Sequence, residues 1–156
     1  MARRPRIDSA ASAVKIMQGA QREIAPPGHV RFDDSDWPYW HSVVEELPRS
    51  EWTNHKIEMA ALLARTMSDL EREQQALRLE GSVIETTRGA QPNPRVGIVA
   101  KCSATIMQYR RSLGLTARAQ NASDPENIGK RRAIAKGVEQ RNPLVDDLLG
   151  MPGDGP

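Results

Sequence analysis

Residues 77–116 read LRLEGSVIETTRGAQPNPRVGIVAKCSATIMQYRRSLGLT. This is the end of a charged helix, an extended excursion through Gly81 and Gly89, a Pro-Asn-Pro stop, and a second helix closing on Arg110-Arg111-Ser112-Leu113-Gly114-Leu115. Gly81 suits a helix C-cap. Residues 83–87 are β-prone, with Val, Ile and two Thr, and Arg88-Gly89 reads as a turn. Asn93-Pro94 opens the next helix with proline at its first position, where the missing N–H has no intrahelical partner anyway. Upstream, Thr53 caps a helix over about 54–80, in which Ala60, Leu63, Met67, Leu70, Gln74 and Leu77 alternate spacings of three and four. Val99, Cys102, Ile106, Tyr109 and Leu113 repeat that pattern over about 94–113. Such seams bury themselves against each other, so the expected fold is all-α around a long antiparallel helical hairpin with a small extended excursion.

The flanks add shorter pieces. Asp8-Ser9 can cap a helix to about Ala20, with Ala13, Ile16 and Met17 on one side. Ala25-Pro26-Pro27-Gly28 ends that region. Asp36 caps a helix over about 36–47, with Pro38 in its first turn, and Trp37, Trp40, Val44 and Leu47 form its apolar stripe. Beyond residue 118 the apolar density falls, and only 128–136 and 143–149 show any pattern. The expected organisation is a basic arm and short helix over 1–31, a helical oligomerisation core over 32–118, and a mostly disordered, partner-binding tail over 119–156.

Only 38% of the 156 residues are apolar and 4% aromatic, so the core is modest and gains from oligomerisation. The net charge of +2 conceals segregation. Residues 1–31 hold six basic side chains against two acids, 32–51 hold one against six, and 95–118 hold five with no acid. Alternating blocks of this kind suit self-assembly and phosphate binding. Cys102 stands alone, which excludes an intrachain disulfide framework or thiolate zinc site and fits a reducing compartment. MARRPRIDSA has no apolar stretch behind it and is not a secretory signal, and no run of about 18 apolar residues can span a membrane.

Covalent chemistry finds little support. His29, His41 and His55 share no ligand spacing with one another or with Cys102. Asp33, Asp34 and Asp36 sit at a helix start, where carboxylates stabilise the dipole, so no metal is expected. SDPENIGKR at 123–131 fails as a phosphate loop, because Asp124 stands where the first glycine belongs and Arg131 where the hydroxyl belongs. No Gly-x-Ser-x-Gly elbow occurs. An enzyme and a cofactor are not expected. The basic groups are the candidates for chemistry with a polyanion: Arg3, Arg4 and Arg6 as an arm, Lys15 and Arg22, Arg110 and Arg111 with Arg118, and Lys130, Arg131, Arg132 and Lys136. Trp37, Trp40, Val44, Leu63, Met67, Leu70 and Leu77 are candidates for subunit contact. Leu144, Val145, Leu148 and Leu149 form a short acidic-apolar segment of the kind that folds into a partner's groove.

Glu80-Gly81, Thr87-Arg88-Gly89, Pro92-Asn93-Pro94 and Arg110-Arg111-Ser112-Leu113-Gly114-Leu115-Thr116 together resemble the small terminase subunits of tailed bacteriophages. Ser9-Ala10-Ala11-Ser12-Ala13-Val14 with Met17, Pro26-Pro27-Gly28-His29-Val30, Trp40 and Trp52-Thr53 resemble the branch that cuts genomes at cohesive ends. The similarity covers about residues 8–118. It implies a homo-oligomeric ring of about eight to eleven copies, nine being the expected number (a nonamer). The ring would bind the packaging start site of double-stranded viral DNA and recruit and regulate the large subunit, which holds ATPase and nuclease. It further implies residence in the host cytoplasm and absence from the mature virion. Two other readings fit the residues: a dimeric helical transcription regulator using 36–65, and a coiled-coil adaptor without a nucleic-acid role. The acidic block ahead of residue 54 weighs against the second of those helices entering a major groove.

Overall fold

The computed structural model describes residues 10–116 and 125–141. Along the chain run α1 (Ala10–Ala20), α2 (Trp37–Val44), one 3-10 turn (Arg49–Glu51), α3 (Asn54–Glu80), β1 (Val83–Thr86), β2 (Gly89–Pro92), α4 (Arg95–Leu113) and α5 (Pro125–Arg141). The described residues are mostly helical with a small two-stranded antiparallel sheet. It divides into two compact units. The hairpin unit contains residues 25–46 and 53–116, and the terminal unit contains 10–24, 47–52 and 125–141.

In the hairpin unit α3 packs against α4 and α2. Thr53 caps α3, its hydroxyl accepting the Lys56 N–H at 3.3 Å. Buried on α3 are Ile57, Ala60, Ala61, Leu63, Ala64 and Ser68. Each large apolar side chain so enclosed contributes roughly 1.5–3 kcal/mol. The three alanines leave room for close helix approach. Met67, Leu70, Gln74 and Leu77 extend the seam half-buried, and Ile106 and Leu113 answer from α4 with Val99, Cys102 and Tyr109 half-buried. Gly81 ends α3 at φ +83.

The strands pair Val83 with Pro92 through Thr86 with Gly89. At the turn the Thr86 hydroxyl accepts the Arg88 N–H and donates to the Gly89 carbonyl, and Gly89 sits at φ +98. Pro94 has helical dihedrals, and the Asn93 side chain accepts the Arg95 N–H at 2.9 Å, so Asn93 is the working cap of α4. Gly114 at φ +72 closes α4. Its N–H donates to the Arg111 carbonyl while the Leu115 N–H reaches back to Arg110, the Schellman pattern. Leu113 and Leu115 are both buried, which accounts for the Leu-Gly-Leu close.

Three expectations need correction. Asp36 does not cap α2 with its side chain; its carboxylate turns back and accepts the Asp33 N–H at 2.9 Å. This is the returning half of a capping box placed one turn earlier. On α2 the buried residues are Trp40 and Val43, while Val44 is half-buried and Trp37 is 40% exposed. Phe32 is the missing partner: its ring lies 5.4 Å from Trp37 and 5.7 Å, edge-on, from Trp40. Finally, Pro125–Arg141, expected within a disordered tail, form a 17-residue helix. The segment carrying Leu144, Val145, Leu148 and Leu149 lies outside the described residues.

Candidate nucleic-acid interface

The terminal unit is assembled from three pieces distant in sequence. On α1 the covered positions are Ser12, Ile16, Gly19 and Ala20, a helical stripe of spacing four, three and one, while Ala13 and Met17 face out. Gly19 is required: a Cβ there would stand 2.5 Å from the Ser50 Cβ and 2.6 Å from its Cα, so only glycine lets the 3-10 turn lie this close. Trp52 is 2% exposed and its indole N–H donates to the Leu47 carbonyl at 3.2 Å. Its own carbonyl accepts from the Arg22 guanidinium at 2.7 Å. Arg49 ties the turn in both directions. Its side chain donates to the Ala20 carbonyl at 2.9 Å, and its N–H donates to Glu139 of α5 at 2.6 Å.

Helix α5 docks through Ala135, 2% exposed, flanked by half-buried Ile128, Arg132, Val138 and Glu139. Arg132 meets Glu51 in a two-pronged pair, Nε and Nη2 each 3.1 Å from a carboxylate oxygen. With side-chain exposures of 21% and 32% this pair is better shielded from solvent than a surface bridge. Lys130, Arg131, Lys136 and Arg141 lie on the exposed side of α5, and Lys15 is exposed on α1. The described residues of this unit carry eight basic side chains against four acids, whereas those of the hairpin unit carry ten against eleven.

The expected polyanion contacts therefore separate. Lys15, Arg22, Lys130, Arg131, Arg132 and Lys136 are gathered in the terminal unit, although Arg132 is engaged by Glu51 and Arg22 holds the Trp52 carbonyl. Arg110 and Arg111 belong to the hairpin unit at the end of α4. Arg110 lies 3.9 Å from Glu46, and Arg95 is held by Glu80 and Glu73. The stretch 95–118 is free of acids in sequence, but Glu46, just after α2, and Glu73 and Glu80 of α3 supply them in space. Arg3, Arg4, Arg6 and Arg118 lie outside the described residues.

Among the residues expected at subunit contacts, Trp40 and Leu63 are 2% and 1% exposed and are consumed by the chain's own core. Trp37 keeps exposed surface, and Val44, Met67, Leu70 and Leu77 are half-buried. What sequence reasoning missed is the clasp of Glu51, Arg132, Arg49 and Glu139, together with the contact made possible by Gly19. Charged residues at half-buried helical positions were its only trace. Among the described residues no group of three His, Cys, Asp or Glu side chains could hold a metal ion, and no helix is long and apolar enough to cross a membrane.

The described residues thus form a helical hairpin unit and a small, positively charged helical unit. A model of the Hendrixvirinae small terminase family matches residues 1–153, and the chain belongs to that family. Its members are generally non-catalytic, regulatory subunits acting in phage genome packaging. No curated protein matches the chain.

Proposed function

We propose that the protein binds the packaging start site of double-stranded viral DNA as a homo-oligomeric ring of about nine copies, and that it recruits and regulates the large subunit carrying ATPase and nuclease. The observation that carries the DNA reading is the concentration of positive charge in the terminal unit, where Lys15, Lys130, Arg131 and Lys136 are exposed on two helices. Repeating that unit around a ring multiplies weak phosphate contacts through avidity. Arg110 and Arg111 serve as secondary contacts, and Arg3, Arg4 and Arg6 as an arm. The partly exposed seam of α3 with Trp37 supplies the contact between copies, and residues 144–149 the contact with the large subunit.

Native mass spectrometry with a DNA titration tests this. A ring weighs about nine times the 17.3 kDa chain, and its affinity falls steeply with salt. A species of twice the chain mass overturns the ring in favour of a dimeric regulator. Binding that does not respond to salt, or no binding, overturns the DNA role in favour of an adaptor.

A further inference from the structure

We propose that a cleft in the terminal unit seats a single phosphate of the DNA backbone, clamped between α1 and α5; this rests on the DNA-binding reading above. The cleft measures about 220 Å³ and is lined by Ser12, Lys15 and Ile16 of α1, Ser50 and Glu51 of the 3-10 turn, and Arg131 of α5. Its size decides the class of ligand. Pockets for whole organic ligands run from about 300 to 1,000 Å³, so this one is too small for a nucleotide but takes one tetrahedral anion with its water.

The lining decides the sign. Lys15 and Arg131 bring two cations, and Ser12 and Ser50 bring two hydroxyls, the side-chain types that position backbone phosphates. The one carboxylate, Glu51, has both oxygens bonded to Arg132, so its charge is offset within the protein. That same pair anchors α5 next to Arg131 in the chain, making Glu51 and Arg132 positioning residues. The apolar side of Ile16 lowers the local dielectric and strengthens each contact. The site therefore needs α5, and the helix that sequence composition assigns to a tail becomes part of the DNA-contacting surface.

The proposal separates from a general basic patch by coupling. Lys15→Gln, Arg131→Gln and the double variant would be titrated with duplex DNA from 50 to 300 mM salt, with circular dichroism melts to show that the surface substitutions leave the fold intact. Each single variant should flatten the slope of log K against log salt. Because both cations meet one phosphate, the loss in the double variant should depart from the product of the single losses by more than about threefold. An unchanged slope, or losses that multiply cleanly, overturns the shared seat while leaving DNA binding by the wild type intact. Wild-type protein that shows no salt-sensitive DNA binding overturns the underlying reading and the seat with it. A parallel titration with ADP and with inorganic phosphate identifies the source of the anion. Weak binding of both, without displacement of DNA at millimolar concentration, is expected; displacement there by ADP would assign the cleft to a free nucleotide instead.

Discussion

Asn93 shows how much one residue can connect. It is 3% exposed, and its amide donates to Glu80 at 3.0 Å and to the Gly81 carbonyl at 2.9 Å while its carbonyl oxygen accepts the Arg95 N–H. Its backbone N–H donates to Ser82 at 2.9 Å. The end of α3, the base of the strand pair and the start of α4 are thus fastened at one side chain. Asn93→Ala removes all three side-chain bonds and leaves the Gly81 carbonyl and the Arg95 N–H short of partners. A loss of about 1–3 kcal/mol is expected, read as a lower denaturation midpoint at unchanged m. Beside it, hydrogen bonds from Arg95 and then Asn93 hold the Glu80 carboxyl below the usual glutamate range, and Glu80 in turn raises Arg95. The sign follows from linkage. A depressed carboxylate pKa stabilises the fold above the unfolded-state value, and that stabilisation is lost as pH falls through the folded value. The melting temperature of the wild type should therefore exceed that of Glu80→Gln at neutral pH. The gap should narrow as pH drops below about 4.5. A gap constant from pH 7 to pH 3 would mean that the Glu80 charge contributes nothing.

At the scale of elements, legibility followed the side chains that do the packing. Helices α3 and α4 were readable because Leu, Met, Ile and Val recur at heptad spacings and because Thr53, Gly81, Pro94 and Gly114 punctuate them in the expected roles. The strand pair was readable from its β-branched run and Gly89. Helix α5 was not. Gly129 and Gly137 each disfavour a helix by about 1 kcal/mol relative to alanine, and its docking face joins Ala135 to Arg132, ion-paired with Glu51, and to Glu139, which accepts the Arg49 backbone N–H, with Ile128 and Val138 only half-buried beside them. A helix held by one ion pair, one hydrogen bond to a backbone N–H and one small buried residue leaves only a weak apolar pattern over 128–136. Helix α2 shows a smaller failure of the same kind. The stripe drawn through Val44 passes one position away from Val43, because Phe32, outside the helix, covers the Trp37 and Trp40 side. The candidate site suffered most from reading charge along the chain. Arg95 and Arg110 lie in an acid-free run of sequence yet face Glu73, Glu80 and Glu46.

For the whole molecule, the discontinuity of the terminal unit has a consequence for the two ends of the chain. Residues 10–24, 47–52 and 125–141 share one compact unit, so α1 depends on α5, a helix far from it in sequence. No composition shift marks such a unit, since its pieces lie far apart in sequence. Two truncations separate the roles of the C-terminal region. A chain stopped after residue 141 keeps the Arg132–Glu51 and Glu139–Arg49 bonds, and with them the fold of the terminal unit. It should bind DNA with the wild-type salt slope but lose stimulation of the large subunit's ATPase, because residues 144–149 are gone. A chain stopped after residue 124 loses α5 as well, uncovering the turn at 49–51 and removing Lys130, Arg131 and Lys136. It should still assemble through the hairpin unit, with DNA affinity reduced by at least tenfold. Native mass, salt titration and ATPase stimulation measured on the same two proteins decide the matter. Equal DNA affinity in both would place α5 outside the interface, and retained stimulation by the longer one would place the large-subunit contact elsewhere.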